Sequence, residues 1–180
     1  MRLFKKIFHF LKDVYHYVRF PRGYIAYRGV FDSFEQAMNA KPSHIGDGTQ
    51  KQPTTEEKIA QLTRIFSQKL MPRESEYPVF FWLDRIFAST PNASVCDFGG
   101  GNGEHYFAYT SCTDIAPKWS VCELENNVTI GRAITQNLGI NNLTFDTTMR
   151  AASILHSSAA LWYVKYPYKF LEDYLTGGGR

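Results

Sequence analysis

An apolar segment that runs straight into glycines and then into a helix leaves a chain few folds to choose from. This chain carries one at Val95-Cys-Asp-Phe-Gly-Gly-Gly-Asn-Gly-Glu-His-Tyr-Phe, with glycine at positions 99, 100, 101 and 103. Glycines permit positive φ and let backbone approach a bound group closely, and the helix that follows presents free N–H groups to it. The pattern predicts a strand over Ser94 to Phe98 and a helix from about Gly103. Downstream, short apolar runs alternate with helical ones: Trp119 to Glu123, a helix from about Asn126 to Leu138, Leu143 to Phe145, and Ser153 to Ser157. Strands separated by helices predict βαβ units, hence an α/β fold on a mostly parallel sheet of about four strands. Ligands of such sheets lie beyond the carboxyl ends of the strands.

Residues 1–91 have a different, helical texture. On a helical wheel Leu3, Ile7, Phe10, Leu11, Val14, Tyr17 and Val18 share one arc, with Arg2, Lys5, Lys6, Lys12 and Arg19 opposite and Pro21 as the stop. This basic two-faced helix, residues 1–22, has two readings: peripheral contact of residues 1–20 with an anionic membrane, or docking as an ordinary surface helix. Within the helical region 23–91, Asp32 or Ser33 caps a short helix with Glu35 or Gln36 as reciprocal partner, and Lys41 to Thr55 reads as loop. Thr54 or Thr55 caps a helix carrying Ile59, Leu62, Ile65 and Phe66 up to about Leu70, ended by Pro72. Tyr77 to Phe87, nearly continuous in apolar residues, predicts a buried helix. The cofactor-binding domain is assigned to 92–180.

Charge and cysteine usage exclude several classes. The net charge of +3 is too weak a balance for a nucleic-acid protein, and the excess is concentrated in the first 22 residues, where six basic groups face the single acid Asp13. Cys96, Cys112 and Cys122 form no C-x-x-C pair and read as buried free thiols, with no metal site implied. No apolar stretch approaches the ~20 residues of a membrane span, and no signal-peptide pattern opens the chain, which predicts a cytoplasmic protein, at most at the inner face of the membrane.

Spacing narrows the ligand of the glycine run. A G-x-G-x-x-G frame fails, because from Gly99 its last position is Glu104 and from Gly101 it is Tyr106; a Walker loop fails for want of a lysine. The frame that fits, D-x-G-x-G-x-G from Asp97 to Gly103, resembles that of class I S-adenosylmethionine-dependent methyltransferases. An acid about 20 residues on, at the end of the next strand, would accept hydrogen bonds from ribose hydroxyls, and Glu123 stands there.

The likeness extends further. Tyr27-Arg-Gly-Val-Phe-Asp-Ser-Phe-Glu-Gln-Ala, Tyr77-Pro-Val-Phe-Phe-Trp-Leu, the glycine run, Trp119-Ser-Val-Cys-Glu, Gly131-Arg-Ala and Ser157-Ser-Ala-Ala-Leu-Trp-Tyr-Val resemble a bacterial family assigned to these methyltransferases and often found among surface-polysaccharide genes. The resemblance covers residues 27–175. It implies a Rossmann-like methyltransferase fold and S-adenosylmethionine held by Asp97, Gly99, Gly100, Gly101, Gly103, Glu123 and Asp146, with Asp146 near the adenine. It implies a small-molecule acceptor near the Ser157 region, such as a sugar. A full sheet of that fold has seven strands, so four imply an incomplete sheet with an open edge.

Methyl transfer needs an aligned nucleophile, and oxygen or nitrogen nucleophiles often need a base as well. His156, Tyr163 and His105 are the candidates near the strand ends. Each has a structural alternative: a hydrogen-bonded core histidine for His156, core packing for Tyr163 beside Trp162, and a helix-surface position for His105. The expectation is a methyltransferase, and the rival is a non-catalytic methyltransferase-like remnant that acts as a binding or membrane-associated module.

Overall fold

A computed structural model describes residues 7–12, 14, 15, 18, 30–40 and 54–178. The chain divides into two compact units, residues 1–52 and 53–180. In the first, residues 7–12, 14, 15 and 18 are helical, and Ile7, Phe8, Phe10, Leu11, Val14 and Val18 are exposed. Arg2, Lys5, Lys6, Arg19 and Pro21 of the expected basic helix, the 41–53 part of the loop and the first residues of the Tyr27 motif lie outside the described residues. Helix α1 (Phe34–Asn39) is capped by Ser33, whose Oγ accepts from the Gln36 amide at 3.1 Å while Gln36 Oε1 accepts from the Asp32 amide. No helix among the described residues is long and apolar enough to cross a membrane.

The second unit opens with α2 (Thr55–Phe66), started by a full capping box: Thr54 Oγ1 accepts from the Glu57 amide and Glu57 returns a carboxylate to the Thr54 amide at 2.8 Å. This helix stops four residues before the expected Leu70. Ser67 caps it, and the Leu70 amide donates to Ser111 Oγ of a later helix, so a tertiary partner draws the chain away before Pro72 is reached. Helix α3 (Tyr77–Ser89) carries Pro78 in its first turn. It is not buried all round as its composition predicts: Phe80, Leu83 and Phe87 share the core face, while Tyr77, Phe81 and Trp82 are exposed.

Strands and helices then alternate: β1 (Ser94–Phe98), α4 (Glu104–Cys112), β2 (Lys118–Cys122), α5 (Glu125–Leu138), β3 (Leu143–Asp146) and β4 (Ile154–His156), followed by a 3₁₀ turn at Leu161–Tyr163 and α6 (Pro167–Asp173). The sheet is wholly parallel in the order β3-β2-β1-β4, an α/β Rossmann-like arrangement with β3 and β4 at its edges.

Side chains alternate across a strand, so the register decides which residues share a face. Val95, Trp119, Leu143 and Ile154 form one row, and Asp97, Val121, Phe145 and His156 the next. This face meets the helices. Phe66 of α2 stacks on Phe107 of α4 at 4.1 Å, Phe80 and Phe87 of α3 close on Tyr109, and Tyr109 lies against Trp119. Burying each such aromatic contributes about 1.5–3 kcal/mol. The opposite face carries Ser94, Lys118, Ser120 and Thr144 along an open groove of about 360 Å3, together with the apolar Cys96, Cys122 and Leu155, and Phe98 there meets Phe170 of α6. Cys96 and Cys122 are buried, but Cys112 is exposed at the end of α4, where the buried-thiol expectation fails.

Candidate functional site

The carboxyl end of the sheet holds two compartments that meet at Ser158. The first is an open cleft of about 500 Å3, lined by Phe98, Gly99, Glu123, Leu124, Thr147 and Tyr163 among others. The Gly99 amide donates to the Cys122 carbonyl at 2.9 Å, which carries the β1–β2 ladder into the loop. Glu123, immediately after β2, turns its carboxylate toward the loop: Oε1 accepts from the Gly101 amide at 3.1 Å, and Oε2 accepts from the Leu124 amide and from Asn127 Nδ2. Loop and acid are therefore joined at one opening.

The glycines answer to neighbours within the protein. A Cβ on Gly99, whose φ is +71°, would lie 2.2 Å from the Ala160 Cβ, and one on Gly100 would lie 2.5 Å from Asp97 Cγ. The loop thus lies directly over a buried carboxylate and beneath the 158–160 segment. Among the loop glycines only Gly99 lines the cleft, so the glycine run is explained by internal packing as well as by approach to a ligand.

The second compartment is a cavity of about 130 Å3 whose lining includes Arg73, Ser75, Glu76, His105, His156 and Ser158. Behind the His105, His156 and Trp119 side chains of its lining stands Asp97, wholly buried. Because Asp97 and His156 are register partners on parallel strands, their side chains emerge side by side, and His156 Nδ1 lies 2.7 Å from Asp97 Oδ1. Trp119 Nε1–H donates to Oδ2 at 3.2 Å. His105, in the first turn of α4, approaches that oxygen with Nδ1 at 3.4 Å, an ion-pair contact rather than an aligned hydrogen bond, and its Nδ1 is otherwise without a partner. Its Nε2 lies 3.8 Å from Glu76 Oε1, and Glu76 is held by the Arg73 guanidinium at 2.9 Å and the Arg73 amide at 2.6 Å.

Burial pushes the Asp97 carboxyl up, but the imidazoles of His105 and His156 outweigh it and bring it down to about 2. Burial pulls His105 down, yet Asp97 and Glu76 on either side of it leave it raised. Glu76 is lifted by burial and lowered further by Arg73, for a net downward shift. The ligand atoms of Asp97, His105 and His156 lie within 4.8 Å of one another, a donor set that a divalent cation can use. The cysteine pattern gave no sign of it, since no cysteine belongs to the set: Asp97 and His105 both lie in the glycine segment, and His156 is 59 positions from Asp97.

The remaining expected site residues are dispersed. Asp146 does not line the cleft; it accepts from the Thr147 amide and pairs with Arg150 at 3.0 Å, leaving Thr147 to face the opening. Tyr163 is 80% exposed on the cleft rim, so its expected core packing is overturned: the 3₁₀ turn puts Trp162 and Tyr163 both outward. His105 is not a helix-surface residue, its side chain being 12% exposed. Arg73 and Glu76, absent from the sequence reading, complete the charge row; their only sequence signal was the spacing of a base three residues before an acid at a helix start. Comparison with protein-family models and with characterised proteins found no match for this chain.

Proposed function

We propose that the chain binds S-adenosylmethionine in the cleft beside Glu123 and transfers its methyl group to a small acceptor. The observation that carries this reading is the position of Glu123: a carboxylate just past β2, hydrogen-bonded to the Gly101 amide and lining the same opening as Gly99. The cleft is at the carboxyl ends of adjacent parallel strands, and its volume falls in the ~300–1,000 Å3 range of small-ligand sites. A carboxylate there suits ribose hydroxyls and a cationic sulfonium, and Leu124, Ala159, Ala160 and Val164 offer apolar surface for a base. The resemblance drawn from the glycine run and Trp119-Ser-Val-Cys-Glu supports the same ligand. When bound, the cofactor supplies a methyl carbon whose bond to sulfur breaks as the acceptor's bond to it forms, the electron pair leaving on the thioether.

Calorimetry and thermal unfolding with S-adenosylhomocysteine test it. Binding that raises the unfolding temperature and is weakened in Glu123→Ala supports the reading, because a ligand held only by the native state stabilises it. Folded protein without binding, or binding indifferent to Glu123→Ala, removes it.

A further inference from the structure

The buried compartment does a separate job from the cleft. We infer that His156 Nε2 is the proton acceptor for a hydroxyl group of a small polar molecule seated in the 130 Å3 cavity, with Asp97 as the positioning residue behind the ring. The acceptor role rests on the methyl-transfer reading above.

His156 Nδ1 is committed to Asp97 at 2.7 Å. In the neutral ring the hydrogen therefore resides on Nδ1 and the lone pair on Nε2, the polar contacts of the ring among the described residues being made through Nδ1. The neighbouring contacts agree: His105 lies between two carboxylates with Nδ1 toward Asp97 and Nε2 toward Glu76, whereas His156 meets a carboxylate through Nδ1 alone. A divalent cation held through His156 Nδ1 would displace the 2.7 Å hydrogen bond.

Size and lining define the occupant. A cavity of ~150 Å3 holds a benzene-sized ring, so this space admits one ring-sized fragment or less. Arg73, Glu76 and two hydroxyls, Ser75 and Ser158, favour a polar, hydroxylated fragment over an apolar one. Ser158 borders both compartments, so a group held against His156 lies next to the cleft.

Three measurements on the full chain decide it. Nitrogen NMR of histidine-labelled protein is expected to show His156 as the Nδ1–H tautomer; an Nε2–H tautomer overturns the proposal. Diethyl pyrocarbonate acylates a ring nitrogen that carries a free lone pair. His105 and His156 side chains are equally exposed at 12%, so the rate ratio reads which ring offers such a nitrogen. His156, whose Nε2 meets no carboxylate, is expected to react faster than His105, whose two ring nitrogens both do. Glycerol, the hydroxyl probe, is expected to slow His156 but not exposed His9. Equal reaction of the two buried rings, or no protection by glycerol, counts against it.

Equilibrium dialysis with zinc supplies the third arm: stoichiometric zinc lost in both His105→Asn and His156→Asn makes the cluster a metal centre and overturns the base. His156→Asn keeps an N–H for Asp97 and is expected to bind S-adenosylhomocysteine as the parent does. Loss of that binding in His156→Asn assigns His156 to the cofactor site and defeats the inference. Absence of binding in the parent chain instead defeats the cofactor reading, and with it the acceptor role, while tautomer and acylation still decide the protonation assignment.

Discussion

Asp97 and Glu123 stand at the ends of neighbouring strands, β1 and β2, yet the protein treats them oppositely. Asp97 is roofed by Gly100, flanked by two imidazoles and an indole N–H, and wholly withdrawn from water. Glu123 lines an open cleft, and its hydrogen bonds are to backbone amides and one asparagine. Asp97 points onto the helix-packed face, where a charge must be neutralised; Glu123 lies past its strand, where water and ligands reach it. One acid is part of the fold's interior and the other is available for recognition.

The largest expected contrast is in stability. Asp97→Ala strips the counter-charge from buried His105 and an acceptor from Trp119, and should lower unfolding free energy by about 3–5 kcal/mol in urea titrations. Glu123→Ala should cost only about 1 kcal/mol by the same measure. Gly100→Ala comes next: its new methyl meets the Asp97 carboxylate at 2.5 Å and should cost about 1–3 kcal/mol, relieved when Asp97 is shortened to Ala in the double variant. For ligand affinity the order reverses. Glu123→Ala should weaken S-adenosylhomocysteine about 10- to 150-fold by calorimetry, the equivalent of ~1.5–3 kcal/mol for a charged hydrogen bond.

The pH dependence sharpens the same comparison. The Asp97 carboxyl is lowered from 3.8 to about 2, so its contribution is present above pH 3.8 and fades as pH falls through 2. His105, facing Asp97, Glu76 and His156 with Arg73 behind, is raised from 6.5, so its contribution is present below 6.5 and fades as pH rises through the raised value. His105→Asn should flatten the alkaline decline in unfolding temperature and start the acid one at a higher pH, since the His105 imidazole is one of the groups that lower Asp97. The smallest effect belongs to the rim: Tyr163→Ala should change stability by no more than ~0.5 kcal/mol, since the ring is 80% exposed.

Local signals were legible. The Thr54 capping box, the strand before the glycines and the alternation after Asn92 appear in the structure within a residue or two, because each depends on neighbours within a few positions. The helix ending at Phe66 rather than Leu70 was not, since Ser111 pulls the chain aside from 41 positions away. Nor was the outward turn of Trp162 and Tyr163, which no surface among the described residues covers.

Sequence alone determined the alternation of strands and helices, the four-glycine turn and an acid one strand further on, because hydrophobic period and backbone freedom are properties of short segments. Only the folded chain decided that Asp97 and His156, 59 positions apart, are register partners, that His105 and Glu76 extend them into one charge row, and that the glycines roof a carboxylate. Strand register between parallel neighbours is set by the packing of the whole face, a sum over contacts distant in sequence that no single motif contains.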